Sequence, residues 1–178
     1  MRSLQEAVGR ELLWKPRSLL SRTHDLVDPE STEGEPYATL LWRPGFMLQG
    51  PAEVESGDGR WVLRHRGWFR ESVLVMTTDG VTRLAEFRRY WRRGVLRFED
   101  GREFTWRRES FLSRTWRFED GNGTPVVRFR VRFSFPRSLT RVEIEATAAP
   151  LADRALLACL GWYLLALARR RAAARAAS

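Results

Sequence analysis

The chain is 178 residues long, a one-domain length, with 43% hydrophobic residues, 12% aromatic residues and a formal charge of +9. The apolar share supports a sizeable core, the aromatic share favours pleated, half-buried surfaces, and a single cysteine, Cys159, excludes an intramolecular disulfide. Of the 31 basic residues only Lys15 is lysine, a skew that codon usage explains more simply than polyanion binding does.

Residues 1–36 are expected to hold a short helix and a flexible acidic linker. Ser3 and Glu6 have capping-box spacing, and Leu4, Val8 and Leu12 recur every four residues, which predicts a helix from Ser3 to Trp14. The stretch HDLVDPESTEGEP then predicts a linker over residues 22–36. Charge is uneven along the chain: residues 1–35 carry −2, residues 36–150 carry +7 and residues 151–178 carry +4. No apolar run of about 7–15 residues opens the sequence, so no secretory signal is expected. The expected location is cytoplasmic and peripheral to a membrane.

From Tyr37 the texture changes to short apolar runs separated by turn residues. The turns are Pro44-Gly45, Gly57-Asp58-Gly59, Asp79-Gly80, Asp100-Gly101 and Asp120-Gly121, and Asp-Gly between alternating segments is a hairpin signal. Val127, Phe129, Val131, Phe133 and Phe135 alternate with Arg128, Arg130, Arg132 and Ser134. Val142, Ile144 and Ala146 alternate with Arg141, Glu143 and Glu145, so the two runs predict an antiparallel hairpin with arginines facing glutamates. The hexapeptides LRFEDG (96–101) and WRFEDG (116–121) repeat at a spacing of twenty residues. That spacing is two strands and two turns, as in a meander or up-and-down barrel. About ten strands are expected between Tyr37 and Thr147.

The last element is expected to be a helix over residues 151–170, followed by a disordered basic tail, 171–178. Residues 155–168, ALLACLGWYLLALA, carry no charge, with Pro150 before them, Asp153 in the first turn and Arg169 to Arg171 in the last. A helix apolar on all sides must be surrounded by protein or by lipid. Fourteen residues span about 21 Å, short of the roughly 30 Å hydrocarbon core of a bilayer. The length favours burial in protein. A closed sheet of ten or so strands encloses more space than its own side chains fill, and this helix fills it, with Gly161 permitting close approach of an inward Trp or Phe. The predicted fold is therefore a mainly β, closed antiparallel barrel of about 10–12 strands, residues 37–170, around a buried C-terminal helix.

Nothing in the sequence points to catalysis, a metal or a cofactor. Of two histidines, His24 falls in the expected linker and His65 shares the alternation of Trp61 and Leu63, a barrel-wall position. Cys159 sits within the apolar helix, where a thiol acts as a small hydrophobe. There is no nucleophile elbow, P-loop or dinucleotide fingerprint, and EDGNGTP around Asp120 lacks the alternating ligands of a calcium loop. Paired carboxylates such as Glu99–Asp100 precede turn glycines, a turn-forming arrangement. The one suggestive surface motif is FRRYWRRG, in which Arg88, Arg89, Arg92 and Arg93 flank Tyr90 and Trp91. Interleaved basic and aromatic groups suit lipid headgroups or stacked single-stranded bases.

Repeated strand–Asp-Gly–strand units followed by ALLACLGWYLLALARRR resemble the tubby C-terminal-like superfamily, which includes phospholipid scramblases and the LURP-one-related proteins. The resemblance spans residues 37–170 and rests on the order of elements. It implies a barrel of about twelve strands closed around a hydrophobic C-terminal helix, and contact with membrane lipid. The chain departs from those relatives in lacking a cysteine-rich palmitoylation cluster and an acidic calcium-binding segment. The expected function is a non-enzymatic binding or scaffold module that contacts anionic phospholipid through Arg88, Arg89, Tyr90, Trp91, Arg92 and Arg93. A nucleic-acid-binding β-domain and a tail-anchored membrane protein are the alternatives.

Overall fold

The computed structural model describes the chain except residues 19–20, 31–33, 45–49, 68–71, 91–92, 135–136, 148 and 177–178. A single turn of 3-10 helix, Leu4–Ala7, is followed by twelve strands. They are β1 (Glu11–Pro16), β2 (Thr23–Val27), β3 (Ala38–Trp42), β4 (Ala52–Ser56), β5 (Gly59–Arg66), β6 (Ser72–Met76), β7 (Arg83–Arg89), β8 (Arg93–Phe98), β9 (Glu103–Arg108), β10 (Thr115–Glu119), β11 (Pro125–Ser134) and β12 (Arg137–Ile144). One helix, α1 (Leu151–Ala176), ends the chain. Each strand pairs antiparallel with the next, and β1 pairs with β12 to close the barrel.

Alternation sets the wall. Leu12 and Trp14, Leu40 and Trp42, Trp61 and Leu63, Leu96 and Phe98, Phe104 and Trp106, and Val142 and Ile144 are buried at every second position of their strands. The hairpin read from the alternating arginines forms β11 and β12, with Arg128 opposite Glu143 but Arg130 opposite Arg141. On its outer face Arg128 pairs with Glu145 at 3.1 Å and Arg130 with Glu143 at 3.8 Å. Ten strands lie between residues 37 and 147, as the turn spacing predicts.

The helix occupies the barrel interior. Every residue from Ala155 to Leu167 is buried, and α1 packs against β3, β5, β10, β11 and β12, strands spread around the ring. A Cβ at Gly161 would overlap the Phe129 ring of β11, so glycine is what lets the helix lie against an aromatic wall. Removing this apolar cylinder from water is worth roughly 1.5–3 kcal/mol per large side chain. At the chain's first turn Leu4 and Ala7 are fully buried and also meet α1. Ser3 Oγ and the Leu4 N–H both donate to the Asp58 carboxylate, at 2.6 and 2.7 Å.

Three expectations are corrected. The helix expected from Ser3 to Trp14 is a 3-10 turn followed by β1. Gly9, at φ 76°, turns the chain between them, and a four-residue apolar spacing satisfies a strand's two-residue period as well as a helix's. The linker expected over 22–36 contains β2, which joins the ring between β1 and β3. The barrel therefore begins at Glu11, not at Tyr37. Finally, the tail from Arg171 continues α1 to Ala176, where alanine and arginine are both strong helix formers. No helix among the described residues is long and apolar enough to cross a membrane, and the segment a tail anchor would use lies inside the barrel.

Candidate functional site

Because neighbouring strands alternate in direction, every second connection lies at the same end of the barrel. One rim holds the connections β1–β2, β3–β4, β5–β6, β7–β8, β9–β10 and β11–β12, together with the C-terminal end of α1. The opposite rim holds the N-terminal segment, the other connections and the start of α1. The two rims differ in charge. Outside the strands, the described residues of the first rim carry eight arginines and one glutamate, a net +7. Those of the second carry four arginines and eleven carboxylates, a net −7.

The basic rim is built on the last turns of α1. Arg169 donates to Thr140 Oγ1 at 2.7 Å and lies over the Trp162 ring at 5.1 Å. Arg170 lies 3.8 Å from the centre of Trp42. Trp162 stacks in turn on Trp14, and Trp42 on Tyr163. Guanidinium groups thus cap two aromatic stacks that close the barrel mouth, an arrangement that holds cations over ring faces. Arg171 approaches His65 Nε2 at 2.8 Å. Burial lowers the pKa of both Arg169 and Arg170 from the ordinary arginine value, although guanidinium remains cationic at any physiological pH.

The described residues of the arginine–aromatic motif read from the sequence lie on this same rim. Arg88 and Arg89 end β7 and Arg93 opens β8. The Tyr90 N–H donates to the Arg93 carbonyl at 2.7 Å, and the Tyr90 side chain is half exposed. Arg88 is held by Glu86 at 2.9 Å. Trp91 and Arg92 lie outside the described residues. Arg93 stands directly opposite Arg107 on β9, which stands opposite Arg117 on β10 and then Arg128 on β11. Like charges in register repel. Buried Glu119 relieves this row by pairing with Arg107 at 3.3 Å and Arg117 at 2.6 Å.

Sequence reasoning missed two features of this rim. The first is His24, which belongs to β2 and packs its ring against Trp162 at 5.4 Å. Burial, then the Arg170 charge, lowers its pKa, so the neutral form is favoured. The second is the β9–β10 turn, residues 109–114, where Phe111 is 87% and Leu112 89% exposed. A signal for it existed. Asp-Gly turns recur every twenty or so residues, so a connection midway between two of them, such as ESFLSR, falls at the other rim.

The acidic rim is different in kind. Its turn carboxylates bind their own turns: Asp120 Oδ1 accepts from the N–H groups of Asn122 and Thr124, both at 2.9 Å. At the start of α1, buried Asp153 pairs with Arg102, which also binds Asp100 at 2.7 Å. A cleft of about 430 Å³ opens there over Trp61, Leu84, Phe98 and Leu156. Among the described residues no group of His, Cys, Asp or Glu is placed to hold a metal ion. Cys159 is fully buried, and burial raises its pKa far above the usual thiol range.

No protein-family model matches the chain, and neither a curated protein nor a solved structure matches it.

Proposed function

We propose that the protein is a non-enzymatic binding module, of the tubby- and scramblase-like kind, that docks on anionic phospholipid membranes through its basic rim. The observation that carries this reading is the separation of charge, +7 at one rim against −7 at the other among the described residues outside the strands. A closed barrel with opposite ends of opposite sign is oriented by a negatively charged surface before it touches it. The basic rim also carries exposed Tyr90, and aromatic groups beside arginines suit the headgroup layer. The twelve-strand barrel around a C-terminal helix supports the family likeness through fold alone. Membrane contact in this reading is peripheral, with α1 remaining inside the barrel.

Flotation with phosphatidylcholine vesicles, with and without phosphatidylserine, tests the reading. Binding is expected to be many-fold tighter with the anionic lipid. The triple variant Arg88→Gln, Arg89→Gln, Arg93→Gln is expected to weaken it roughly 100-fold, at about 1 kcal/mol per arginine. Flotation independent of anionic lipid, or unchanged in that variant, overturns the assignment. Absence of flotation together with tight, steeply salt-dependent binding of single-stranded RNA or DNA replaces lipid by nucleic acid.

A further inference from the structure

Phe111 and Leu112 are the two most exposed large hydrophobic residues among those described, and they are consecutive at the tip of one turn. Single exposed apolar residues are common on protein surfaces. Here the placement is specific. Of the five large hydrophobics that are exposed among the described residues, Tyr90, Phe111 and Leu112 lie on the basic rim, while Met1 and Val81 lie on the other.

The turn that presents the pair is firmly tied. The Glu109 N–H donates to the Thr115 carbonyl at 3.0 Å. Ser110 and Ser113 cap the turn: the Ser113 N–H donates to Ser110 Oγ at 3.1 Å, and the Thr115 N–H to Ser113 Oγ at 2.9 Å. Arg108 donates to the Ser113 carbonyl from the end of β9, and Arg117 pairs with Glu109 at 3.3 Å. A turn held this way by its own serines has no need of Phe and Leu at its apex. They are carried almost fully exposed on a hydrogen-bonded turn, with Arg108 and Arg114 on either side in sequence.

We propose that Phe111 and Leu112 form a membrane-inserting wedge that enters the boundary between headgroups and acyl chains while the surrounding arginines engage lipid phosphates. The inference rests on the anionic-membrane reading and adds an apolar component to it. The occupant is a lipid bilayer because the wedge stands on the positively charged rim, complementary to an anionic surface. Groups buried at that depth, about 5–10 Å into the interface, combine apolar burial with electrostatic attraction. Two components of binding follow, one sensitive to salt and one insensitive.

The test uses the full chain. Phe111→Ser with Leu112→Ser should lower affinity for phosphatidylcholine–phosphatidylserine vesicles roughly tenfold or more, and should abolish the binding that survives at about 1 M salt, where the Debye length is only about 3 Å. A polarity-sensitive fluorophore at Leu112→Cys should brighten on adding those vesicles. Cys159 does not compete for the label, since it is fully buried. If the double variant binds like the natural chain, or the label is silent while flotation persists, the wedge is overturned and the basic-rim reading stands. If the natural chain does not float at all, both fall. Brightening that follows protein concentration without vesicles, with a dimer on sizing that the double variant abolishes, makes the tip a contact between copies and overturns the wedge.

Discussion

The two rims are made from the same unit, a strand pair joined by a short turn, yet their charges have different origins. At the acidic rim the carboxylates build the turns. Asp79 accepts from the Val81 N–H at 2.9 Å, Asp100 from Arg102 at 3.1 Å, and Asp120 from two N–H groups of its own turn. Aspartate before glycine is a turn residue first and a charge second. At the basic rim the β9–β10 turn is closed by its serines together with Arg108, which donates to the Ser113 carbonyl, while the exposed Phe111 and Leu112 side chains take no part in those bonds. Asp79, Asp100 and Asp120 are bound up in closing their own turns, whereas the Phe111 and Leu112 side chains at the basic end take no part in closing theirs. The Asp-Gly turns of the acidic end therefore read as structural, and the exposed β9–β10 tip of the basic end as surface available for function.

That contrast breaks if substitutions at the two ends do not sort into stability and binding effects. The largest effect is expected where α1 joins the ends. Leu160→Asp places a charge in a fully buried position. The cost is several kcal/mol, comparable to a domain's whole stability of about 5–15 kcal/mol. Loss of the folded signal in circular dichroism and sizing is expected, and a folded monomer would mean the helix is not central. Next, Asp153→Asn at the acidic end leaves Arg102 without its buried partner. A loss of about 1–3 kcal/mol is expected in denaturant melts, with vesicle flotation unchanged. Altered flotation there would show that the acidic rim is not merely structural.

Asp120→Ala is a smaller version of the same test. It frees the Asn122 and Thr124 N–H groups, and a loss of about 1 kcal/mol is expected, again without effect on flotation. The smallest effect concerns pH at the basic end. The folded-state pKa of His24 lies below its ordinary value near 6.5. The unfolded chain then takes up a proton on this ring before the folded one does. Its contribution to stability is complete above pH 6.5 and declines as pH falls from there to the lowered folded value. His24→Gln should flatten that part of the stability–pH curve, and an unaltered slope assigns the dependence to other groups.

Much of the fold was legible in the residues themselves. Alternation in β11 and β12 predicted two paired strands with arginines and glutamates sharing the outer face, because side chains of period two are locked to one face by burial, although only Arg128 stands directly opposite a glutamate. Gly161 was legible as a close-approach position because an all-round apolar helix inside a barrel must meet large inward rings. The N-terminal strands were not. THDLV in β2 has a histidine and an aspartate among five residues, and only tertiary partners make it a strand. Asp25 is satisfied by Arg17 at 2.8 Å and by Thr39 Oγ1 at 2.8 Å, and the His24 ring finds Trp162. The candidate site was half legible. Arg88 to Arg93 drew notice as a cluster in one dimension, whereas Phe111 and Leu112 gain meaning from what stands beside them at the rim.

The sequence by itself determined the local choices: which runs alternate, where Asp-Gly turns the chain, and that residues 155–168 must be enclosed. Each of these depends on neighbours a few positions away, so it is written into short windows. Tertiary structure alone decided the closing of β1 onto β12, the burial of His24, and the sorting of scattered charges onto opposite ends. Those depend on chain direction accumulated over twelve strands, and a net charge summed along the sequence averages the two ends away.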